Sequence, residues 1–182
     1  MKLQPTTYNL KSYKLQASAG FTLIELLLYV GIASIILLVT SLFLSTLLQS
    51  RIKNQTIAEV EQQGLQVMQF ITQTARNAEA ITSPATGVSA SSLTLDVITV
   101  ANDPAIFDLS GGVIRITEGV GSAVPLTNSR VTVSALTFQN LSRATTPGTI
   151  RIQFTINHIN PEGRNEYNFT KTFTGSATLR QP

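Results

Sequence analysis

Three places in this chain carry residue types that could do chemistry. The first is the run Gly20-Phe21-Thr22-Leu23-Ile24-Glu25. A cut after Gly20 would give Phe21 a free α-amine one helical turn from the Glu25 carboxylate. The second is His158, the only histidine, set between Asn157 and Ile159 in a polar turn region. It stands alone, so solvation is expected there rather than catalysis. The third is the set Asp103, Asp108 and Glu118, whose spacing matches no calcium loop. The absence of cysteine excludes disulfides, thiolate metal sites and a cysteine nucleophile. No H-x-x-x-H, G-x-S-x-G or P-loop pattern occurs. The expectation is a chain that is not an enzyme, with no catalytic residue, metal or cofactor. Three Asn-x-Ser/Thr triplets begin at Asn54, Asn140 and Asn168, and triplets of that kind arise often by chance.

Glu25 needs an explanation because it heads a long uncharged stretch. Residues 26–50 contain no charged side chain. Twenty-five residues of helix reach ~37 Å, enough to cross a hydrocarbon core of ~30 Å. A carboxylate near such a core costs a few kcal/mol unless it is paired or protonated. Lys2, Lys11 and Lys14 precede the run, and Arg51 and Lys53 come after it, a bias that favours a cytoplasmic N-terminus. The small-x-small triplet Ala17-Ser18-Ala19 precedes the apolar run, which is also too long for a secretory signal core. If the chain is cut after Gly20, the Phe21 amine of one subunit could pair with the Glu25 of a neighbour. A buried charge that only a neighbour can neutralise sets register, because the wrong stagger leaves it unpaired.

The formal charge of +3 disappears with such a cut. Three of the thirteen Lys and Arg precede Gly20 and none of the ten acids does, so the remainder carries ten of each. No basic block is left as a nucleic-acid footprint, and no nucleic-acid partner is expected.

Gly20-Phe21-Thr22-Leu23-Ile24-Glu25 with the apolar run behind it resembles the type IV prepilin cleavage and methylation signature of pilins and type II secretion pseudopilins. The resemblance implies that a membrane-embedded prepilin peptidase cuts between Gly20 and Phe21 and methylates the new amine of Phe21. It also implies that Glu25 is the subunit-docking carboxylate. Many pilins carry a proline about twenty residues into the mature helix; here Thr40-Ser41-Leu42-Phe43 stands instead. That departure leans toward a minor pilin or pseudopilin. The stretch Leu126–Val131, then Leu136-Thr137-Phe138, and the ending Phe173…Leu179-Arg180 look like the PulJ/PilW-like kind.

The elements that must position this segment are set by periodicity. Beyond Arg51 and Lys53, the residues Ile57, Val60, Gly64, Val67, Met68, Ile71, Ala75 and Ala78 recur at spacings of three and four, one apolar helical stripe. Gly64 reads as a close-packing position. Thr82-Ser83-Pro84 and Gly87 are breakers, which predicts a helix end near Ile81. From Ser91 the period changes to two. Alternation marks strands around Leu93–Val97, Ile106–Leu109, Val113–Thr117 and Val131–Phe138, the last with a bulge near Ala135. Ile150–Ile156, a turn at Asn160–Gly163 and the alternation of Tyr167, Phe169, Lys171 and Phe173 predict an antiparallel hairpin. About six strands would form one sheet whose greasy face takes the helix stripe. The fold class is α+β, pilin-like: a long N-terminal helix, membrane half plus amphipathic half, packed on a C-terminal antiparallel sheet. The expected segments are a removed leader 1–20, a transmembrane and assembly half 21–50, an amphipathic half 51–81 and a β-rich domain 82–182.

The function expected on these grounds is that of a structural subunit of a type IV pilus or type II secretion-like filament that initiates or caps assembly. Its partners would be prepilin peptidase, other pilin or pseudopilin subunits through the N-terminal helix, the inner-membrane assembly platform and the lipid bilayer. It would sit in the inner membrane as a single-pass protein, with its C-terminal domain periplasmic or extracellular, and then enter the filament. The alternative is a single-pass membrane protein whose exported β-rich domain binds a ligand.

Overall fold

A computed structural model of the chain describes residues 20–180. Residues 1–19, with Lys2, Lys11, Lys14 and Ala17-Ser18-Ala19, lie outside the described residues. The chain divides into two compact units at Ser45/Thr46.

The first unit is the opening part of helix α1, Leu23–Asn77. Side chains from Leu26 to Ser50 are all exposed, consistent with a run of apolar residues that has no polar face to turn to water. α1 is long and apolar enough to cross a membrane. Its hydroxyls do not remain bare. Ser34 Oγ donates to the Val30 carbonyl at 2.7 Å, and Thr40 Oγ1 lies 2.8 Å from that of Ile36 and 3.0 Å from that of Leu37. Back-bonding of this kind satisfies a donor inside an apolar segment and bends a helix slightly.

The second unit joins the remainder of α1 to nine strands: β1 Ala78–Ser83, β2 Ser89–Ala90, β3 Leu93–Val97, β4 Ala105–Ser110, β5 Val113–Glu118, β6 Val124–Pro125, β7 Val131–Asn140, β8 Thr149–His158 and β9 Thr170–Thr178. They form antiparallel sheets, as the alternation predicts, but two rather than one. A five-stranded sheet runs β1-β3-β4-β5-β6 and a four-stranded sheet runs β2-β7-β8-β9. The chain leaves the first sheet after Ser83, and the backbone bonds Gly87 N to Asn140 O (2.8 Å) and Asn140 N to Val88 O (3.1 Å) commit β2 to β7. Gly111 and Gly112, both at positive φ, make the two-residue turn between β4 and β5, where a right-twisted hairpin needs that geometry. The bulge in β7 falls between Val133 and Ala135.

Helix residues Thr56, Val60, Gly64, Val67, Ile71 and Ala75 are buried against the sheets. The predicted stripe holds with two changes. Ile57 is only half-buried; Thr56 takes its place, with Oγ1 turned back to the Ile52 carbonyl at 3.0 Å, so the face it shows the core is its methyl. The helix also ends at Asn77, not near Ile81. Residues 78–83 are a strand paired with β3, and the Arg180 N–H caps the Arg76 carbonyl at 3.0 Å. Gly64 lies against the Phe173 ring, and Phe70 meets Phe107 edge to face at 6.2 Å, so α1 touches both sheets. The core beneath contains Phe107 and Phe138, together with Ile150, Ile152, Phe154 and Ile156 of β8, all fully buried.

Candidate functional site

Gly20, Phe21 and Thr22 precede the first helical residue in non-helical backbone. Nothing lies within 4 Å of where a Gly20 Cβ would stand, and Phe21 is 73% exposed. Its ring meets Tyr29 edge to face, with centroids 5.9 Å apart.

Thr22 caps the helix. Its Oγ1 accepts from the Glu25 N–H at 3.3 Å, and its carbonyl accepts the Leu26 N–H at 3.1 Å. Thr22-x-x-Glu25 has the sequence of a capping box, of which the Thr22 half forms, a signal that periodicity alone does not show. Glu25 sits in the first turn, where the helix dipole favours an acid. Tyr29 Oη donates weakly to Glu25 Oε1 at 3.3 Å, and no cation pairs with Glu25 among the described residues. Gly20, Phe21 and Glu25 thus lie together within one turn of the helix start. The Glu25 backbone N–H is capped by Thr22, and its carboxylate takes the Tyr29 hydroxyl.

The other candidates fare differently. His158 is not a solvated turn residue. It is the last residue of β8, its side chain is 10% exposed, and it stacks on Tyr167 with centroids 5.6 Å apart. Its Nε2 lies 3.7 Å from Glu59 Oε2 on α1, and its Nδ1 is buried without a hydrogen-bond partner among the described residues. Glu59 also accepts from Asn128 Nδ2 at 3.1 Å and faces Arg130 at 3.7 Å. The group ties α1 to β8 and to the segment before β7. Asp103, Asp108 and Glu118 do not converge. Asp108 takes a two-pronged bond from Arg115 at 2.9 and 2.7 Å, and Asp103 accepts from the Val97 N–H at 3.4 Å. The hydrogen bond to Asp108, helped by its charge and opposed by burial, holds the Arg115 guanidinium above its ordinary pKa. Asn140 is 3% exposed, and its amide is committed to the Pro84 carbonyl at 2.8 Å, so it is no open glycan acceptor.

Near the β8–β9 connection, Lys53 donates to the carbonyls of Asn165 (3.2 Å) and Asn168 (2.6 Å), fixing the turn Asn165–Tyr167 to α1. Within that turn Glu166 pairs with Arg164. Its own backbone N–H and then the Arg164 guanidinium hold the Glu166 carboxyl below its ordinary pKa, and Arg164 is raised in turn. No family model, curated protein or solved structure matches the chain.

Proposed function

We propose that this chain is a filament subunit of the type IV pilin class, a minor pilin or pseudopilin that initiates or caps assembly. It is cut between Gly20 and Phe21 by a prepilin peptidase and methylated on the Phe21 amine. The observation that carries the reading is the run Gly20–Glu25 at the head of α1. An open, non-helical scissile bond stands just before a helix with an uncompensated acid in its first turn. That helix then presents exposed, uncharged and mostly apolar side chains for more than a membrane's thickness. Before assembly the lipid bilayer covers those side chains; in the filament, other subunits do. In that packing Glu25 receives the amine of a neighbour, because a carboxylate taken out of water needs a counter-charge. The domain after residue 50 lies outside the cytoplasm, and the assembly platform of the inner membrane lifts the subunit.

Intact-mass measurement of the mature chain tests the processing. It should start at Phe21 and carry one added methyl; a chain still starting at Met1 refutes the proposal. Glu25→Ala tests docking separately. Cleavage should proceed, while incorporation into filaments falls by tenfold or more, the loss of a paired buried charge being worth about 3–5 kcal/mol. Undiminished incorporation would remove the docking role.

A further inference from the structure

The two sheets have four edges, and three are closed to strand addition by recognisable means. β2 and β6 are two residues long, and β6 contains Pro125. β1 is broken by register shifts between Ala78 and Ala80 and between Ile81 and Ser83. Short edges, proline and bulges are the devices that keep an edge from recruiting another strand. β9 has none of them. It runs nine residues without proline, and its pairing to β8 continues without a bulge from Thr149↔Thr178 to Asn157↔Thr170.

The direction of its backbone groups can be worked out. The Leu179 N–H goes to the Gly148 carbonyl at 2.8 Å, and the Phe169 carbonyl receives the His158 N–H at 3.0 Å, so odd-numbered positions face β8. Antiparallel pairing alternates. Thr170, Thr172, Thr174, Ser176 and Thr178 therefore turn their N–H and C=O groups to the open edge. The next even position fits the rule: the Arg180 N–H points the same way and is taken by the Arg76 carbonyl at the end of α1. The free edge is thus bounded at one end by the helix terminus.

A wall stands beside this edge. Lys171 pairs with Glu61, and a Cβ added to Gly175 would lie 2.6 Å from Met68 Sδ, so the Glu61–Met68 flank of α1 overhangs β9. Leu65 lies one helical turn from each and is 55% exposed. A groove of about 560 Å³ continues along the flank, lined by Met68, Gln69, Thr72, Gln73 and Arg76 and by Arg180. The guanidinium groups of Arg76 and Arg180 make no ion pair or side-chain hydrogen bond among the described residues.

We propose that β9 and the flank of α1 form an acceptor groove for an extended strand of another protein. The strand is neutral along most of its length and acidic where it reaches Arg76 and Arg180. Strand addition would satisfy the free backbone groups of β9, and alternate side chains of the entrant would cover Leu65 and Met68. Charge selects against a second copy of β9 as the occupant. The charges of β9 and its continuation are Lys171 and Arg180, so a copy would bring cations to cations, whereas an acid complements both arginines. The inference does not depend on the filament reading, since it rests on strand order and the charges beside it.

The test is selection of a random library of nine-residue linear peptides on the full chain in detergent micelles, followed by titration of the selected synthetic peptides. The proposal expects peptides that alternate apolar and polar residues and carry Asp or Glu at one end. Their binding should slow amide exchange at Thr172, Thr174 and Ser176. Thr174→Pro removes an outward N–H that the β8 ladder does not use, so it should weaken binding about tenfold with the fold retained. Arg180→Glu, which keeps the backbone bond to Arg76, should weaken the same peptides about fivefold or more. If the proline variant fails to fold, Arg180→Glu and the exchange pattern decide. Enrichment of no peptide, binding unchanged by Arg180→Glu, or protection at amides away from β9 would overturn the proposal.

Discussion

Gly64→Ala sets two physical effects against each other with opposite signs. Taken as a helix residue alone, alanine for glycine in an interior turn should stabilise α1 by about 1 kcal/mol. The structure predicts the reverse. An alanine Cβ at position 64 would clash with the tip of the Phe173 ring, which is buried and stacked on Phe154 with centroids 5.4 Å apart and planes 24° from parallel. The ring cannot retreat inward, because Phe154 is fully buried. Overpacking of this kind costs about 1–3 kcal/mol. Displacing the ring also forfeits a stacking contact worth about 0.5–1.5 kcal/mol. After the helix gain is subtracted, a net loss of about 0.5–3.5 kcal/mol remains. The assay is pulse proteolysis in urea on the full chain in mild detergent, comparing unfolding midpoints. Phe173→Leu provides the second arm. The smaller side chain makes room, so the double variant should lose less than the sum of the two single losses. A Gly64→Ala midpoint equal to or above that of the parent, or strictly additive effects, would refute the close approach of α1 to β9.

Two other perturbations test the sheet junction and the β8–β9 connection. Asn140→Ala should cost about 1–3 kcal/mol, because it strips the partner from the Pro84 carbonyl and from the Ser142 N–H (3.0 Å) at a buried position. A loss below about 0.5 kcal/mol, the size of an ordinary surface change, would show that water replaces the amide. Glu166 should give the domain an acid-side pH dependence. Its carboxyl is held below the ordinary value in the folded chain, so the stability it contributes is present above its unfolded pKa and is lost as pH falls through the folded one. Urea midpoints from neutral to acid pH should therefore fall less steeply in Glu166→Gln than in the parent, and parallel profiles would sink this account.

How much of this architecture the sequence displays depends on whether its cause is local. The apolar run, the capped start at Thr22 and the acid in the first turn are set by residues within one or two turns, and the run's length alone fixes its scale. The buried stripe from Val60 to Ala75, the close approach at Gly64 and the alternation of β8 are readable for the same reason. The helix end is not. Ala78-Glu79-Ala80-Ile81 has ordinary helix formers, and only pairing with Leu93–Val97 and a cap from Arg180, about a hundred residues away, makes it a strand. The division into two sheets is likewise settled by Gly87 and Val88 meeting Asn140. His158 is buried because Tyr167 and Glu59 come to it, and neither is its neighbour in sequence. An open edge is the least local property of all. Each strand's alternation is visible in its own residues, but which strand lies last in a sheet depends on every other pairing. The proposed processing segment rests on six adjacent residues, whereas the open edge of β9 follows only from the order β2-β7-β8-β9, which places no strand of the described residues beyond it.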